Sequence, residues 1–118
     1  MPSTSPDALG FSCACGSLSG HIDAAAAKQG TRIVCHCADC RAVELYHGAP
    51  DPKDSGVDLL QLNPDMVKID QGAEHLQLLQ LSPRGLYRWY AGCCGTPMFN
   101  SLRKPRLPFI ALRSALFA

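Results

Sequence analysis

Short apolar segments, separated by residues that favour turns, follow one another along most of the chain. Several are rich in β-branched, aromatic or leucine side chains, which suit a half-buried sheet. Glycine, proline, asparagine and aspartate gather between them, and no apolar run is long enough to cross a membrane. This pattern predicts a mainly β fold of antiparallel strands with short helical turns. The predicted strands are 10–22, 31–37, 57–62, 67–70, 75–81, 86–92, 98–102 and 108–112, with a bulge near Leu79.

Two segments favour helix. Residues 23–29 are alanine-rich and follow Asp23, a suitable N-cap, although so short a segment is equally typical of a loose connector. Residues 39–46 form the second candidate, with Asp39 as the expected N-cap. Cys40 would then lie in the first turn, where the helix N-terminus favours the thiolate that binds metals.

The chain has 118 residues, of which 47% are hydrophobic and 18% charged, and this balance is typical of one globular domain. We expect residues 1–9 to be a flexible tail and residues 10–118 to form a single zinc-binding β domain. The net charge of +1 gives no general attraction to nucleic acid or to an anionic membrane. The N-terminus lacks the basic start and apolar run of a secretory signal, so a cytoplasmic location is expected.

Seven cysteines are many for this length, and an odd number cannot pair completely within the chain. The spacings Cys-x-Cys and Cys-Cys would close strained disulfide rings. Metal ligation by thiolates in a reducing compartment is therefore the simpler interpretation. The clusters are Cys13 and Cys15, then Cys35, Cys37 and Cys40, and finally Cys93 and Cys94.

The middle cluster, with its three thiols in six residues, is the densest of the three. In an extended segment Cys35 and Cys37 share a face, and a turn after Cys37 would bring Cys40 to the same point. Zinc takes four tetrahedral ligands, so three protein ligands leave a position for water or substrate. The alternative is a structural site whose fourth ligand comes from elsewhere in the chain.

The first cluster falls within the predicted strand 10–22, where Cys13 and Cys15 would share one face. Gly16 would let the backbone pass close to a metal, where a Cβ atom would crowd it. Taken alone, the pair is also typical of two small core residues.

The last cluster has two adjacent cysteines, Cys93 and Cys94. Adjacent residues in a strand point to opposite sides, so both sulfurs reach one metal only if the backbone turns. Gly95 and Pro97 indicate such a turn.

Taken in order, the three clusters resemble the glutathione-dependent formaldehyde-activating enzyme family, which also includes centromere-protein-V-like proteins. The family pattern is C-x-C-G, then C-H-C-x-x-C, then C-x-x-C-G-T-P. The matching segments here are Cys13-Ala14-Cys15-Gly16, Cys35-His36-Cys37-Ala38-Asp39-Cys40 and Cys94-Gly95-Thr96-Pro97. Residues 88–94 are closer still to an uncharacterised bacterial branch of the same superfamily.

The resemblance implies an antiparallel Mss4-like β-tent stabilised by zinc, with one structural and one catalytic site. The structural zinc would be bound by Cys13, Cys15 and Cys94, and the catalytic zinc by Cys35, Cys37 and Cys40. The family's remaining cysteine falls on Ala91 here, which cannot bind a metal. Cys93 is the natural substitute, and a three-cysteine site with a distant fourth ligand is the alternative.

The implied activity is that of a carbon–sulfur lyase acting on the adduct of glutathione, or another small thiol, with a small aldehyde. Asp39, His36 and His47 are the candidates for proton transfer, and Asp39 is also the expected helix cap. We expect His21 and His75 to be strand residues without a role. Arg41, Arg84 and Arg88 could meet anionic glutathione, although each alone is more typical of a solvated surface charge. Tyr87, Trp89 and Tyr90 are more typical of a sheet than of a stacking platform.

A zinc-stabilised binding module without catalysis is the alternative function, with protein or nucleic acid as its partner. Its sequence support is the basic group Arg103, Lys104 and Arg106. An open coordination position beside a pocket would favour the enzyme, whereas a closed four-ligand site would favour the module. The sequence leaves the oligomeric state open.

Overall fold

A computed structural model describes residues 8–102 and 109–117 of the chain. These residues form a mainly antiparallel β structure with two α-helices, as the sequence predicts. The strands are β1 (Ala8–Ser12), β2 (Ser19–Asp23), β3 (Thr31–Cys35), β4 (Val57–Leu62), β5 (Lys68–Gln71), β6 (Leu76–Leu79), β7 (Tyr87–Ala91), β8 (Thr96–Ser101) and β9 (Ile110–Arg113). The helices are α1 (Ala24–Gln29) and α2 (Ala38–Tyr46).

The strands form two sheets in which every described pair is antiparallel. The smaller sheet has the order β1-β2-β5 and the larger one the order β3-β4-β9-β8-β7-β6. The predicted basic group Arg103, Lys104 and Arg106 and most of the predicted tail lie outside the described residues. Within the described part of the chain, no helix has the length and apolar character needed to span a membrane.

The larger sheet is apolar on both faces, and β4 shows how one strand serves two cores. Leu62 packs into the main core, which the smaller sheet also lines, while Val57 and Leu59 join a second, smaller core. Side chains alternate along a strand, so leucine and valine on both faces are what a covered sheet requires. The second core also contains Cys40 of α2, and this contact fixes the helix against the sheet.

The first predicted strand is wrong in one respect, because the chain reverses in its middle. β1 ends at Ser12 and β2 begins at Ser19, so Cys13 and Cys15 lie in the turn between them. The Cys13 N–H donates to the Leu18 carbonyl at 2.9 Å and closes this turn. Gly16 has a left-handed φ of 80°, and a Cβ added there would meet nothing within 4 Å. The left-handed conformation by itself favours glycine at this position.

The N-cap of helix α2 lies two residues earlier than predicted, and it is a cysteine. Cys37 occupies the cap, and its Sγ accepts the Cys40 N–H at 3.3 Å. Asp39, the predicted cap, lies in the first turn instead. Cys40 in the first turn and the helix end at Tyr46 are confirmed.

Of three further local predictions, the helical segment after Asp23 is confirmed, whereas the bulge near Leu79 and the strand position of His75 are wrong. The segment after Asp23 is a helix rather than a loose connector, although the Asp23 side chain makes no capping hydrogen bond. The bulge expected near Leu79 is wrong, because β6 pairs with β7 in regular register and the irregularity lies between Trp89 and Tyr90. His75 lies in the short 3-10 turn Ala73–His75 rather than in a strand.

A buried ion pair joins α2 to the larger sheet. Arg113 of β9 donates to the Glu44 carboxylate at 2.7 Å, and both residues are largely buried. We expect Arg113→Met to destabilise the protein by about 3 kcal/mol, because it leaves a buried carboxylate without its partner. Urea unfolding followed by circular dichroism measures the loss.

Arg32→Met is the matched control for this change. Arg32 also pairs with a carboxylate, that of Asp58, but its side chain is 72% exposed. Removal of this surface pair should leave the unfolding midpoint nearly unchanged. Equal midpoint shifts in the two variants would contradict the expected importance of burial.

Candidate metal centres

The seven cysteines are all free and gather into two groups. Within each group, all sulfur atoms lie within 4.8 Å of one another. In the described residues, no other group of three or more histidine, cysteine or acidic side chains meets this condition. We name the groups the four-cysteine centre (Cys13, Cys15, Cys93 and Cys94) and the three-cysteine centre (Cys35, Cys37 and Cys40).

Two turns supply the four-cysteine centre, one between β1 and β2 and the other between β7 and β8. The Cys93 Sγ lies 3.4 Å from Cys15 Sγ and 3.8 Å from Cys13 Sγ, and it is 4.0 Å from Cys94 Sγ. A tetrahedral ion with metal–sulfur bonds of about 2.3 Å would hold its sulfurs about 3.8 Å apart. The centre can therefore hold a metal ion with little rearrangement.

The backbone between β7 and β8 turns as predicted. Cys94 and Gly95 both direct their N–H groups at the Ala91 carbonyl, at 3.3 and 2.7 Å, and Gly95 has a left-handed φ of 77°. The Ala91 side chain is fully buried in the main core. Cys93 therefore reaches the centre from within the turn between β7 and β8. All four sulfurs come from the two turns, so the alternative of three cysteines with a distant fourth ligand is not needed.

The thiols of this centre differ in acidity. Partial burial opposes ionisation of Cys94, but the Thr96 hydroxyl and nearby backbone N–H groups lower its pKa to about 6. Desolvation, together with hydrogen bonds to Cys15 and Cys13, raises the pKa of Cys93 to about 12. Of Cys93 and Cys94, Cys94 is therefore the thiol that forms a metal-binding thiolate more readily at neutral pH.

The three-cysteine centre lies where β3 passes into α2. Cys35 ends the strand, Cys37 caps the helix and Cys40 follows in its first turn. The Cys35 Sγ lies 3.1 Å from the sulfurs of both Cys37 and Cys40, somewhat less than the spacing around a tetrahedral metal. Cys40 is buried and Cys37 is exposed, so the centre faces solvent on one side only.

A buried arginine lies behind this centre. Arg88 of β7 is 6% exposed, and its Nη1 donates to Cys40 Sγ at 3.5 Å. The expectation that Arg88 is a solvated surface charge is therefore wrong. Burial raises the pKa of Cys40 to about 12, although Arg88 acts in the opposite direction. Burial also opposes ionisation of Cys37, but hydrogen bonds from Cys35 and from the Cys40 N–H lower its pKa.

A cavity of about 20 Å³ separates this part of α2 from the sheet, enough for roughly one water molecule. Cys40 and Arg88 line it, together with the Glu44–Arg113 pair and Asn100. Sequence reasoning missed this polar interior. The one available signal was strand alternation, which puts Arg88 on the same face of β7 as Tyr90.

None of the predicted proton-transfer residues belongs to the group of ligand atoms at the three-cysteine centre. Asp39 is exposed in the first turn of α2. His36 is exposed and lies against Gly56. His47 follows α2 and packs on Tyr90 with ring centroids 4.7 Å apart, and desolvation there lowers its pKa.

The remaining predicted residues have varied surroundings. Arg41 pairs with Asp51 through contacts of 2.8 and 2.6 Å, beside an open polar groove that His36 and Lys53 also line. Arg84 is exposed in the turn between β6 and β7. On the sheet, Tyr87 and Trp89 pack edge to face, while the Tyr90 hydroxyl donates to Gln77 Oε1 at 2.9 Å. His21 pairs with Asp70 at 2.9 Å.

The fold and the two cysteine groups define a small antiparallel β protein with two centres that can each hold a metal ion. The chain belongs to a family of unknown function, DUF6151, whose model matches residues 6–118.

The fold is similar to a crystal structure of a Rhodobacter sphaeroides protein from a structural-genomics programme, with a TM-score of 0.62. The similarity covers 92% of this chain and 86% of that chain at 17% sequence identity, so it concerns the fold alone. Among curated proteins, none matches the sequence.

Proposed function

We propose that this protein is a zinc protein with one structural and one functional centre. The functional centre is the three-cysteine centre, which binds a small thiol, or the adduct of such a thiol with a small aldehyde. The difference between the two centres carries the proposal. Four sulfurs converge in one and three in the other, where no fourth ligand from the described residues joins the group. Structural zinc sites are closed, whereas catalytic sites keep a position for water or substrate.

Zinc is the proposed metal because of the donor set. Sites made only of thiolates favour zinc over the harder magnesium and calcium ions, and zinc accepts both three and four protein ligands. When bound at the three-cysteine centre, zinc would polarise a carbonyl oxygen or lower the pKa of a thiol ligand. The resemblance of the cysteine pattern to the formaldehyde-activating family, and the zinc-bearing Mss4-like tent which that resemblance implies, favour the same assignment.

The proposed reaction joins a thiol and an aldehyde, or reverses that step. In the forward direction a carbon–sulfur bond forms, the carbonyl π bond breaks, and the thiol proton ends on the former carbonyl oxygen. No other reactant is consumed. Asp39 is our candidate to carry the proton, because it is exposed in the same turn as Cys40.

The surroundings of the centre support an anionic, glutathione-like substrate. The polar groove beside α2 is lined by Arg41, Asp51 and Lys53. Arg41 is paired with Asp51, so the groove keeps one net positive charge, and it opens next to His36, which lies between two of the cysteines in the sequence. A reduced small thiol implies a reducing compartment, so a cytoplasmic location is part of this proposal. The competing role as a binding module depends on Arg103, Lys104 and Arg106, which lie outside the described residues.

The metal content tests the proposal. We expect about two zinc ions per chain in the wild type and about one in Cys40→Ala and Cys37→Ser, with the fold retained. Elemental analysis and far-ultraviolet circular dichroism measure both quantities. Cys37→Ser is included because Cys37 is exposed, so its replacement leaves the second core intact.

Ligand binding then tests whether the second metal is accessible. With cobalt in place of zinc, added glutathione should change the visible spectrum of the wild type and leave that of Cys37→Ser unchanged. If the wild type holds one zinc ion and both variants unfold, the clusters are structural and the binding module becomes the better account.

A further inference from the structure

The buried arginine behind the three-cysteine centre has no carboxylate partner in the described residues. Arg88 is 6% exposed, and its guanidinium donates to Cys40 Sγ at 3.5 Å. Among the other described arginines, Arg32, Arg41 and Arg113 each pair with a carboxylate. Arg84 is exposed to solvent. Arg88 therefore stands apart, since its charge is directed at a sulfur atom.

An isolated charge in the protein interior is strongly unfavourable unless an opposite charge compensates it. The neighbouring cavity cannot solvate Arg88 fully, because it has room for roughly one water molecule. Glu44 also lines this cavity, but its carboxylate is bound by Arg113. Among the residues that line the cavity, Cys40 is then the remaining one that can carry negative charge, so the cysteine side is the available source of a counter-charge for Arg88.

A metal-bound three-cysteine centre supplies this charge. Three thiolates around a divalent ion leave one net negative charge, which one arginine cancels. When a thiolate takes the fourth position, the local charge becomes one negative unit instead of two. Cys40 Sγ transmits the effect, because it is the atom that Arg88 contacts.

We infer that Arg88 is the counter-charge of the three-cysteine centre, a positioning residue that makes the open position select an anionic ligand over a neutral one. This inference rests on the proposed function, because it requires a metal at this centre. Beyond the proposed function, the inference states that the incoming ligand binds as a thiolate. It also states that the residue that selects this ligand by charge is Arg88, on the interior side of the centre.

The first test is metal affinity. We expect Arg88→Met, which keeps the length of the side chain but not its charge, to weaken zinc at the three-cysteine centre by about 10-fold or more, and Arg88→Lys to restore part of the loss. Competition with a chelator measures the affinity. The four-cysteine centre of the same molecule should bind as in the wild type and serves as the internal reference.

The second test is ligand charge. Cobalt-substituted protein is titrated at one fixed pH with 2-mercaptoethanol, which binds as a thiolate, and with imidazole, which binds neutral. Arg88→Met should weaken the binding of 2-mercaptoethanol by roughly 10-fold or more, and it should change the affinity for imidazole by less than about twofold. A purely structural role of Arg88 would change both ligands equally.

The outcomes separate the two ideas. If the wild type holds a single metal ion, the proposed function fails. If it holds two and the Arg88 variants bind metal and both ligands as the wild type does, only the role of Arg88 is overturned. Should Arg88→Met not fold, Arg88→Lys and Arg88→Gln provide the same comparison of charged and neutral side chains.

Discussion

Replacement of Cys13 by serine is expected to unfold the protein and to release the metal of the four-cysteine centre. Cys13 is 3% exposed, belongs to the main core, and lies 3.7 Å from Cys15 Sγ and 3.8 Å from Cys93 Sγ. Binding of structural zinc is worth about 10–16 kcal/mol, which is as large as the whole stability of an ordinary domain. Loss of one ligand removes a large part of it. Circular dichroism and zinc analysis measure the two effects together.

The matched control is Cys37→Ser in the three-cysteine centre. Cys37 is exposed and lies outside both cores, so this variant should keep its fold while losing one metal ion. The two serine variants thus separate a metal that supports the fold from one that is available for chemistry. A Cys13→Ser protein that melts at the wild-type temperature would contradict the structural role of the four-cysteine centre.

Gly72→Ala should also be strongly destabilising, by about 3 kcal/mol or more. Gly72 has a left-handed φ of 80°, and a Cβ added there would lie 2.0 Å from the Ser17 carbonyl oxygen and 2.8 Å from Leu18 Cα. Both are backbone atoms, so the turn between β1 and β2 would have to move. Because this turn carries Cys13 and Cys15, zinc retention should fall together with the midpoint of urea unfolding.

Gly48→Ala separates steric clash from backbone strain. Gly48 has the same φ of 80°, but a Cβ added there would meet nothing within 4 Å. Its expected cost is the strain alone, about 1 kcal/mol, and zinc content should not change. Equal destabilisation in the two variants would show that the contact with Ser17 is unimportant.

The elements that the sequence predicted best are those with strong local signals. Strand β4 has its predicted bounds, because its leucines and valine are enclosed by turn residues on both sides. The first predicted strand failed because its three serines and three glycines are spread along residues 10–22 and form no recognisable turn motif. There the turn is stabilised by the Cys13–Leu18 backbone bond, which residue pattern alone does not reveal.

The candidate site likewise has a part that the sequence was sufficient to predict and a part that it was not. The spacing of Cys35, Cys37 and Cys40 was sufficient to predict that their sulfurs meet, because all three lie on adjoining local elements. The burial of Arg88 was not predictable, because strand alternation assigns a face but not what covers it. The cover is α2, whose Cys40 is 48 residues away in the chain. The Glu44–Arg113 pair, 69 residues apart, escaped prediction for the same reason.

The two centres differ in how far apart their ligands lie along the chain. In the three-cysteine centre the outermost cysteines are five positions apart, whereas Cys13 and Cys93 of the four-cysteine centre are 80 positions apart. Closing so long a loop costs entropy and must await most of the strand pairing. During synthesis, a nascent chain could therefore capture its first ion at Cys35, Cys37 and Cys40, while the four-cysteine centre completes only after Cys94 has left the ribosome. The centre proposed for chemistry would then be loaded first, and the centre that supports the fold would be the last to assemble.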